Sequence, residues 1–202
     1  MHDFLQRAGS VRKCIHGNGR RTVERVLTTA REMLSDRGYT HAEEGDETAP
    51  SPSDWVLAGR RGEDGAAVYV YLYRDEARVG IKYARTVYDY CTEHDATAVV
   101  ISLDGPTPFA KRRFEDGMLQ FFTINDLCVN ITRHVLVPVH ERMEDLPPHV
   151  TTKQDLPLML TTDKVCQYYN WPVGTIIRIW RQFGGQEPIP YYRVVALAEE
   201  NS

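Results

Sequence analysis

The sequence predicts an α/β protein built in two parts, and three observations carry that prediction. Helix-spaced and strand-like apolar segments alternate from Thr22 to Ile131, and one of them, Ala98–Leu103, is apolar without alternation. The pattern then breaks at Leu136-Val137-Pro138. From Leu156 to Val195 a second, denser set of cap, turn and strand signals follows.

The first helix is read from Val23, Val26, Leu27, Ala30 and Leu34, which recur at helical spacing with Glu24, Arg25 and Arg31 on the opposite face. Gly38 ends it, since glycine enters the left-handed region past a helix end without a Cβ clash. His41–Ser53, rich in Glu, Ala, Pro and Ser, reads as a loop. Trp55–Ala58 and Ala67–Tyr73 are strand-like, with a turn at Gly62–Gly65 between them, and Val79–Ile81 is a short third strand. A helix from Tyr83 to His94 leads into Ala98–Leu103, whose continuous apolar character predicts burial on both faces and parallel neighbours. Thr107 is a good N-cap and Pro108 suits the first helical position, so another helix starts there. Leu127–Ile131 reads as a strand.

In the second part, Asp163 accepts hydrogen bonds from the free N–H groups of a short helical run to Tyr169, and Asn170 tolerates the αL conformation that stops it. Ile176, Ile177 and Ile179 are β-branched and stiff, so Thr175–Trp180 is a strand. Gly184-Gly185 is the hairpin turn and Tyr191–Leu197 the return strand. Met143–Asp155, with Pro147-Pro148 and mixed charge, reads as a connection outside the core.

Composition narrows the function. The chain has 202 residues, enough for one or two cores. Its net charge of −4 opposes autonomous nucleic-acid binding, for which a basic balance is usual. Apolar runs fall short of the ~20 residues that span a bilayer. Met1–Leu5 lacks the basic-then-apolar order of a secretory signal, so an intracellular protein with no membrane partner is expected. Cys14, Cys91, Cys128 and Cys166 are far apart and form no C-x-x-C pair, so reduced thiols are expected, without a disulfide framework or zinc site. Residues 1–21 read as a flexible tail, in which Arg12-Lys13 and Arg20-Arg21 are either a nuclear-import signal or solvated charge.

The most suggestive chemistry follows Thr107. Lys111, Arg112 and Arg113 crowd a predicted helix start, where the macrodipole disfavours cations. A phosphate-bearing partner would remove that conflict through the free N–H groups and counterion release. A solvated basic face is the alternative. His134 and His140 are spaced either as metal ligands or as groups that hydrogen-bond locally, and the local reading is preferred, so no metal is expected. Gly184-Gly185 lacks the lysine and helix of a phosphate loop, and no cofactor is expected.

Ordered strings then point to a family. Leu156-Pro157, Asp163, Val165, Tyr168, Gly174 and Tyr192-Arg193-Val194-Val195 resemble the C-terminal module of subunit 5 of eukaryotic nuclear RNA polymerases, a module that makes up the whole of the corresponding archaeal polymerase subunit. His134-Val135-Leu136-Val137-Pro138-Val139-His140 is similar to the H-x-L-V-P-x-H string that opens the archaeal protein, and Asn130-Ile131-Thr132 to the eukaryotic segment before it. Asp36-Arg37-Gly38-Tyr39, Val79-Gly80-Ile81-Lys82 and Thr107-Pro108-Phe109-Ala110-Lys111 fall in the order of the eukaryotic N-terminal domain. The resemblance covers residues 22–197.

It implies a restriction-endonuclease-like α/β jaw domain over 22–132 without a nuclease site, and a small α+β assembly domain, like the archaeal protein, over 133–202. It further implies a non-catalytic subunit of DNA-directed RNA polymerase that binds the largest subunit and lies near the downstream DNA backbone. Thr107, Phe109, Lys111, Arg112 and Arg113 would then face DNA. Arg181, Phe183, Tyr192 and Arg193 would meet the largest subunit, with pairing of Arg193 inside the fold equally open. A metal-dependent nuclease is the rival reading: Asp54 and Lys82 are present, but Gly80 stands where the second acid is needed, and Mg²⁺ is left with one carboxylate. A free transcription adaptor is the third reading. Departures from the family cluster on polar positions: Gln182-Phe183-Gly184-Gly185 replaces P-S-E-T, Leu158, Gln167, Pro172 and Val173 replace basic or arginine positions, and Phe109 replaces a small polar residue. They imply a diverged isoform, dedicated to one enzyme such as polymerase I and then nucleolar within the nucleus, or a large-virus version.

Overall fold

The computed structural model describes residues 19–41, 55–62, 65–73, 78–114, 116–182, 184–185 and 187–198. The chain forms two compact units that divide between Val129 and Asn130.

The first unit opens with α1, Gly19–Asp36, whose Val23, Val26, Leu27, Ala30, Met33 and Leu34 are buried. Gly38 follows at φ +84° and turns the chain into β1, Tyr39–His41, a strand that the loop assigned to His41–Ser53 did not foresee. Residues 42–54 lie outside the described ones. Next come β2 (Trp55–Arg61), β3 (Ala66–Leu72), α2 (Ile81–Glu93), β4 (Ala96–Ser102), α3 (Pro108–Arg113), β5 (Leu119–Thr123) and α4 (Ile124–Leu127). The sheet runs β1-β2-β3-β4-β5. Its first two pairings are antiparallel, while β4 lies parallel between β3 and β5, the arrangement expected for its unbroken apolar run. Helix α2 is the crossover from β3 to β4, and Ala84, Val87 and Cys91 bury its inner face against Tyr71, Ala98 and Val100.

Two expected strands are absent. Val79 makes only an isolated parallel bridge to Pro106, and Ile81 already belongs to α2, because Gly80 at φ −81° and ψ 163° is that helix's N-cap. Leu127–Ile131 alternates like a strand, but side chains turn the backbone first. Thr123 and Asp126 close a reciprocal capping box over α4, and Asn130 caps the 3-10 turn Ile131–Arg133. The strand of this region is β5, upstream.

The second unit carries β6 (Val139–Met143), β7 (Leu158–Leu160), α5 (Lys164–Tyr169), β8 (Ile176–Arg181) and β9 (Ile189–Ala196) in a sheet of order β6-β8-β9-β7. Asp163 caps α5 with Oδ1 accepting from Val165 N at 2.8 Å, and Asn170 ends it at φ 53° and ψ 45°. One sheet face sets Met159, Ile177, Ile179 and Val195 against Val165 and Cys166; the other sets Ile176 and Val194 against Leu156. The segment read as a connection contributes to the core after all. Met143 ends β6, and Met143, Leu146 and Val150 pack on the second face.

Candidate functional site

In the first unit the geometry around Thr107 is set by Val79. Val79 N donates to Gly105 O at 2.9 Å, and Thr107 N donates to Val79 O at 3.0 Å, with Gly105 at φ +72° making the turn. Thr107 is thereby held extended, and its Oγ1 accepts from Ala110 N at 3.3 Å. Ala110 points inward, Phe109 is 60% exposed, and Lys111, Arg112 and Arg113 face solvent. Helix α3 spans six residues, so these cations form its last turn, at the negative end of the dipole, where they are stabilising. The electrostatic conflict expected from the sequence does not arise. The Arg113 guanidinium lies 5.9 Å from the Phe114 ring, and Tyr88, ring to ring with Phe114 at 5.0 Å, donates its hydroxyl to Asp116 Oδ2 at 2.7 Å. That hydrogen bond holds the Tyr88 phenol above its usual range.

Of the residues that the nuclease reading named, Gly80 and Lys82 lie among the described ones. Lys82 stands exposed on the first turn of α2, and Asp54 lies outside the described residues. The space beside Gly80 is open, so an acid there meets no steric bar; it is simply not encoded. The two histidines bond locally. His134 Nδ1 accepts from Leu136 N at 3.2 Å, and His140 Nδ1 donates to Pro138 O at 2.7 Å.

In the second unit a groove of about 460 Å³ opens between β7, the start of α5, and β8 and β9. Met159 and Ile179 lie at its base, with His140, Asp163, Arg181 and Arg193 around it. Register puts the two arginines on one face: Ile177 pairs with Arg193, Ile179 with Tyr191 and Arg181 with Ile189, so both line the groove from positions four residues apart along the ladder. Arg193 donates Nη1 to Leu158 O at 2.7 Å, so it does pair inside the fold, and Arg181 lies 5.3 Å over the Tyr191 ring. Burial pushes the His140 imidazole below its ordinary pKa, and the positive Arg181 and Arg193 add to the effect, while Pro138 O and Asp163 oppose it. Tyr192 does not join this group. It pairs with Arg178 and turns to the opposite face, edge-on to His149 at 5.6 Å. Phe183 lies outside the described residues.

Sequence reasoning missed His140 and Asp163 as parts of this groove, and it missed Glu141 altogether. Glu141 Oε2 accepts from Trp180 Nε1 at 2.9 Å and from Arg178 Nε and Nη2 at 2.9 and 2.6 Å. The indole and guanidinium donors hold its carboxyl below the usual carboxylate range. Glu141 lies directly opposite Arg178 in the β6–β8 register, a cross-strand charge pair that recognition of β6 would have exposed.

Residues 129–195 match the family described as RNA polymerase Rpb5, C-terminal domain. The chain is 28% identical over 184 residues to the "DNA-directed RNA polymerases I, II, and III subunit RPABC1" of Caenorhabditis elegans, a match covering 78% of this chain and 87% of that relative. The Caenorhabditis briggsae protein of the same name matches to the same extent. The Dictyostelium discoideum protein is 28% identical over 174 residues, covering 77% of this chain and 88% of its own length.

Proposed function

From the chain's membership of the Rpb5 family of RNA polymerase subunits, which makes it a non-catalytic part of a polymerase complex, we propose that its two units divide the work. The second unit assembles on the largest subunit, through Arg181 and Arg193 at the groove and through Tyr192 and Phe183 beside it. The first unit forms part of the jaw, where Thr107, Phe109, Lys111, Arg112 and Arg113 approach the downstream DNA backbone. Its mixed five-stranded sheet with a crossover helix supports a restriction-endonuclease-like origin, in which Gly80 stands at the lost acidic position. The complex is nuclear.

The observation that carries assembly by the second unit is the family match over 129–195, which coincides with the unit that folds from Asn130 onward. Specialisation for one polymerase, such as polymerase I in the nucleolus, rests on Gln182-Phe183-Gly184-Gly185 and Leu158, the polar-position departures that the resemblance implies.

Affinity purification of the tagged chain, with identification of the co-purifying largest subunits, tests both statements. One largest subunit in clear excess is expected. Comparable recovery of the polymerase I, II and III subunits would reject specialisation, and recovery of none would leave the free-adaptor reading. Residues 130–202 expressed alone should retain the large subunit, and residues 1–129 should not.

A further inference from the structure

We propose that the groove between β7 and β8–β9 is a receptor for a carboxylate-bearing peptide segment, in which the Asp or Glu side chain of a partner lies between Arg181 and Arg193. The proposal rests on the subunit reading for the identity of the partner, and on the groove alone for its chemistry.

Charge supports it. Four ionisable groups surround the groove: Arg181, Arg193, His140 and Asp163. Burial, and after it the two guanidiniums, disfavour a charged His140 ring against the opposing Pro138 O and Asp163, so the lasting positive charge of the groove is that of the two arginines. The Asp163 carboxylate is already engaged, with Oδ1 accepting from Val165 N and Cys166 N at 2.8 and 3.4 Å. Two guanidiniums therefore face one carboxylate that is committed to capping a helix, which leaves the groove short of one negative charge. Each guanidinium is also pre-placed. Arg193 is fixed by its bond to Leu158 O, and Arg181 by the Tyr191 ring beneath it. Fixed guanidiniums lose little freedom on binding, and their planar donor pairs suit a carboxylate.

The apolar part of the groove favours peptide over a nucleic-acid phosphate. Met159 and Ile179, both buried, line it beside the backbone of the edge strand β7, whose Leu158 and Leu160 pair with Val194 and Ala196 and turn to the other face. Nucleic acid needs a track of cations for counterion release, whereas here two stand beside buried apolar side chains and an aspartate. A peptide offers aliphatic neighbours for Met159 and Ile179 together with the carboxylate. The volume, about 460 Å³, is that of pockets that enclose a few side chains.

The test selects random short peptides from a display library on the immobilised full chain, and again on Arg181→Gln, Arg193→Lys and Asp163→Asn. Peptides with an acid flanked by aliphatic residues should be enriched, and Arg181→Gln should weaken them by about tenfold or more, the loss expected for a charge-assisted hydrogen bond. Asp163→Asn keeps an efficient N-cap while removing the competing charge, so it should tighten the same peptides, an effect that damage to the fold cannot imitate. Arg193→Lys keeps the charge and loses the fork, so it should weaken them less than Arg181→Gln. Enrichment without acids, or equal enrichment on Arg181→Gln, overturns the proposal. So does displacement of the selected peptides by duplex DNA or inorganic phosphate at lower concentration than by free acidic peptide. Acidic peptides selected by a chain that recovers no polymerase leave the groove standing and sink the subunit reading; polymerase recovered by a chain with no acid preference does the reverse.

Discussion

Asn130 donates from Nδ2 to the Tyr168 hydroxyl at 3.0 Å, across 38 positions of sequence. Its Oδ1 meanwhile accepts from Thr132 N at 3.0 Å and Thr132 Oγ1 at 2.7 Å, so one buried side chain both caps the first turn of the second unit and ties it to α5. Asn130→Ala removes the donor and the cap together and should lower stability by about 1–3 kcal/mol. The readout is a lower urea midpoint at unchanged slope. A midpoint equal to the parent's would show that the pair does not secure the unit.

Glu141 sets an acid limit on the same unit. Its carboxyl is depressed in the folded state, so its contribution is present above the ordinary carboxylate pKa of ~4.3 and is lost as pH falls through the lower folded value. Trp180 reports it directly, since its indole N–H bonds to that carboxylate. Tryptophan emission should therefore change in acid below the usual carboxylate range, and the step should vanish in Glu141→Gln. A step that survives this substitution belongs to another group.

Neutralising Lys111, Arg112 and Arg113 separates their contribution to the helix from the proposed contact with DNA. At the last turn of α3 each cation is worth about 0.3–1 kcal/mol to the helix at low salt, so the triple Gln variant should be slightly less stable as an isolated chain. In the assembled polymerase it should weaken retention on downstream duplex without sequence preference and reduce the salt slope by about one unit per lost phosphate contact. An unchanged slope assigns these residues to a solvated face.

Burial pushes the Cys91 and Cys166 thiols up to about 11 each, which keeps them protonated at neutral pH as well as shielded. Alkylation of the native chain followed by peptide mapping should leave both unmodified, and both should react once the chain is unfolded in denaturant. Native-state labelling of either would contradict its burial.

The local stops and starts were legible in the sequence because the groups that make them act within a few residues. Gly38, Thr107, Asp163 and Asn170 hold their expected roles, since a cap or an αL stop needs only neighbouring backbone. The parallel placement of β4 was legible too, because burial on both faces removes polar alternation. Strands β6 and β7 were not: they are short edge strands, and β8 and β9 supply their hydrogen bonds. The sense of the dipole at Lys111–Arg113 depended on where α3 ends, which a six-residue helix decides at Phe114 by burying that ring beside Tyr88. The groove could not be read in advance either. Which side of a sheet Arg193 and Tyr192 face follows from pairing register, and a shift of one residue would exchange them. Where elements begin and stop, and which family's strings they resemble, was written locally in the chain; which of those residues meet was settled by folding, because strand pairing acts between positions that local chemistry does not connect.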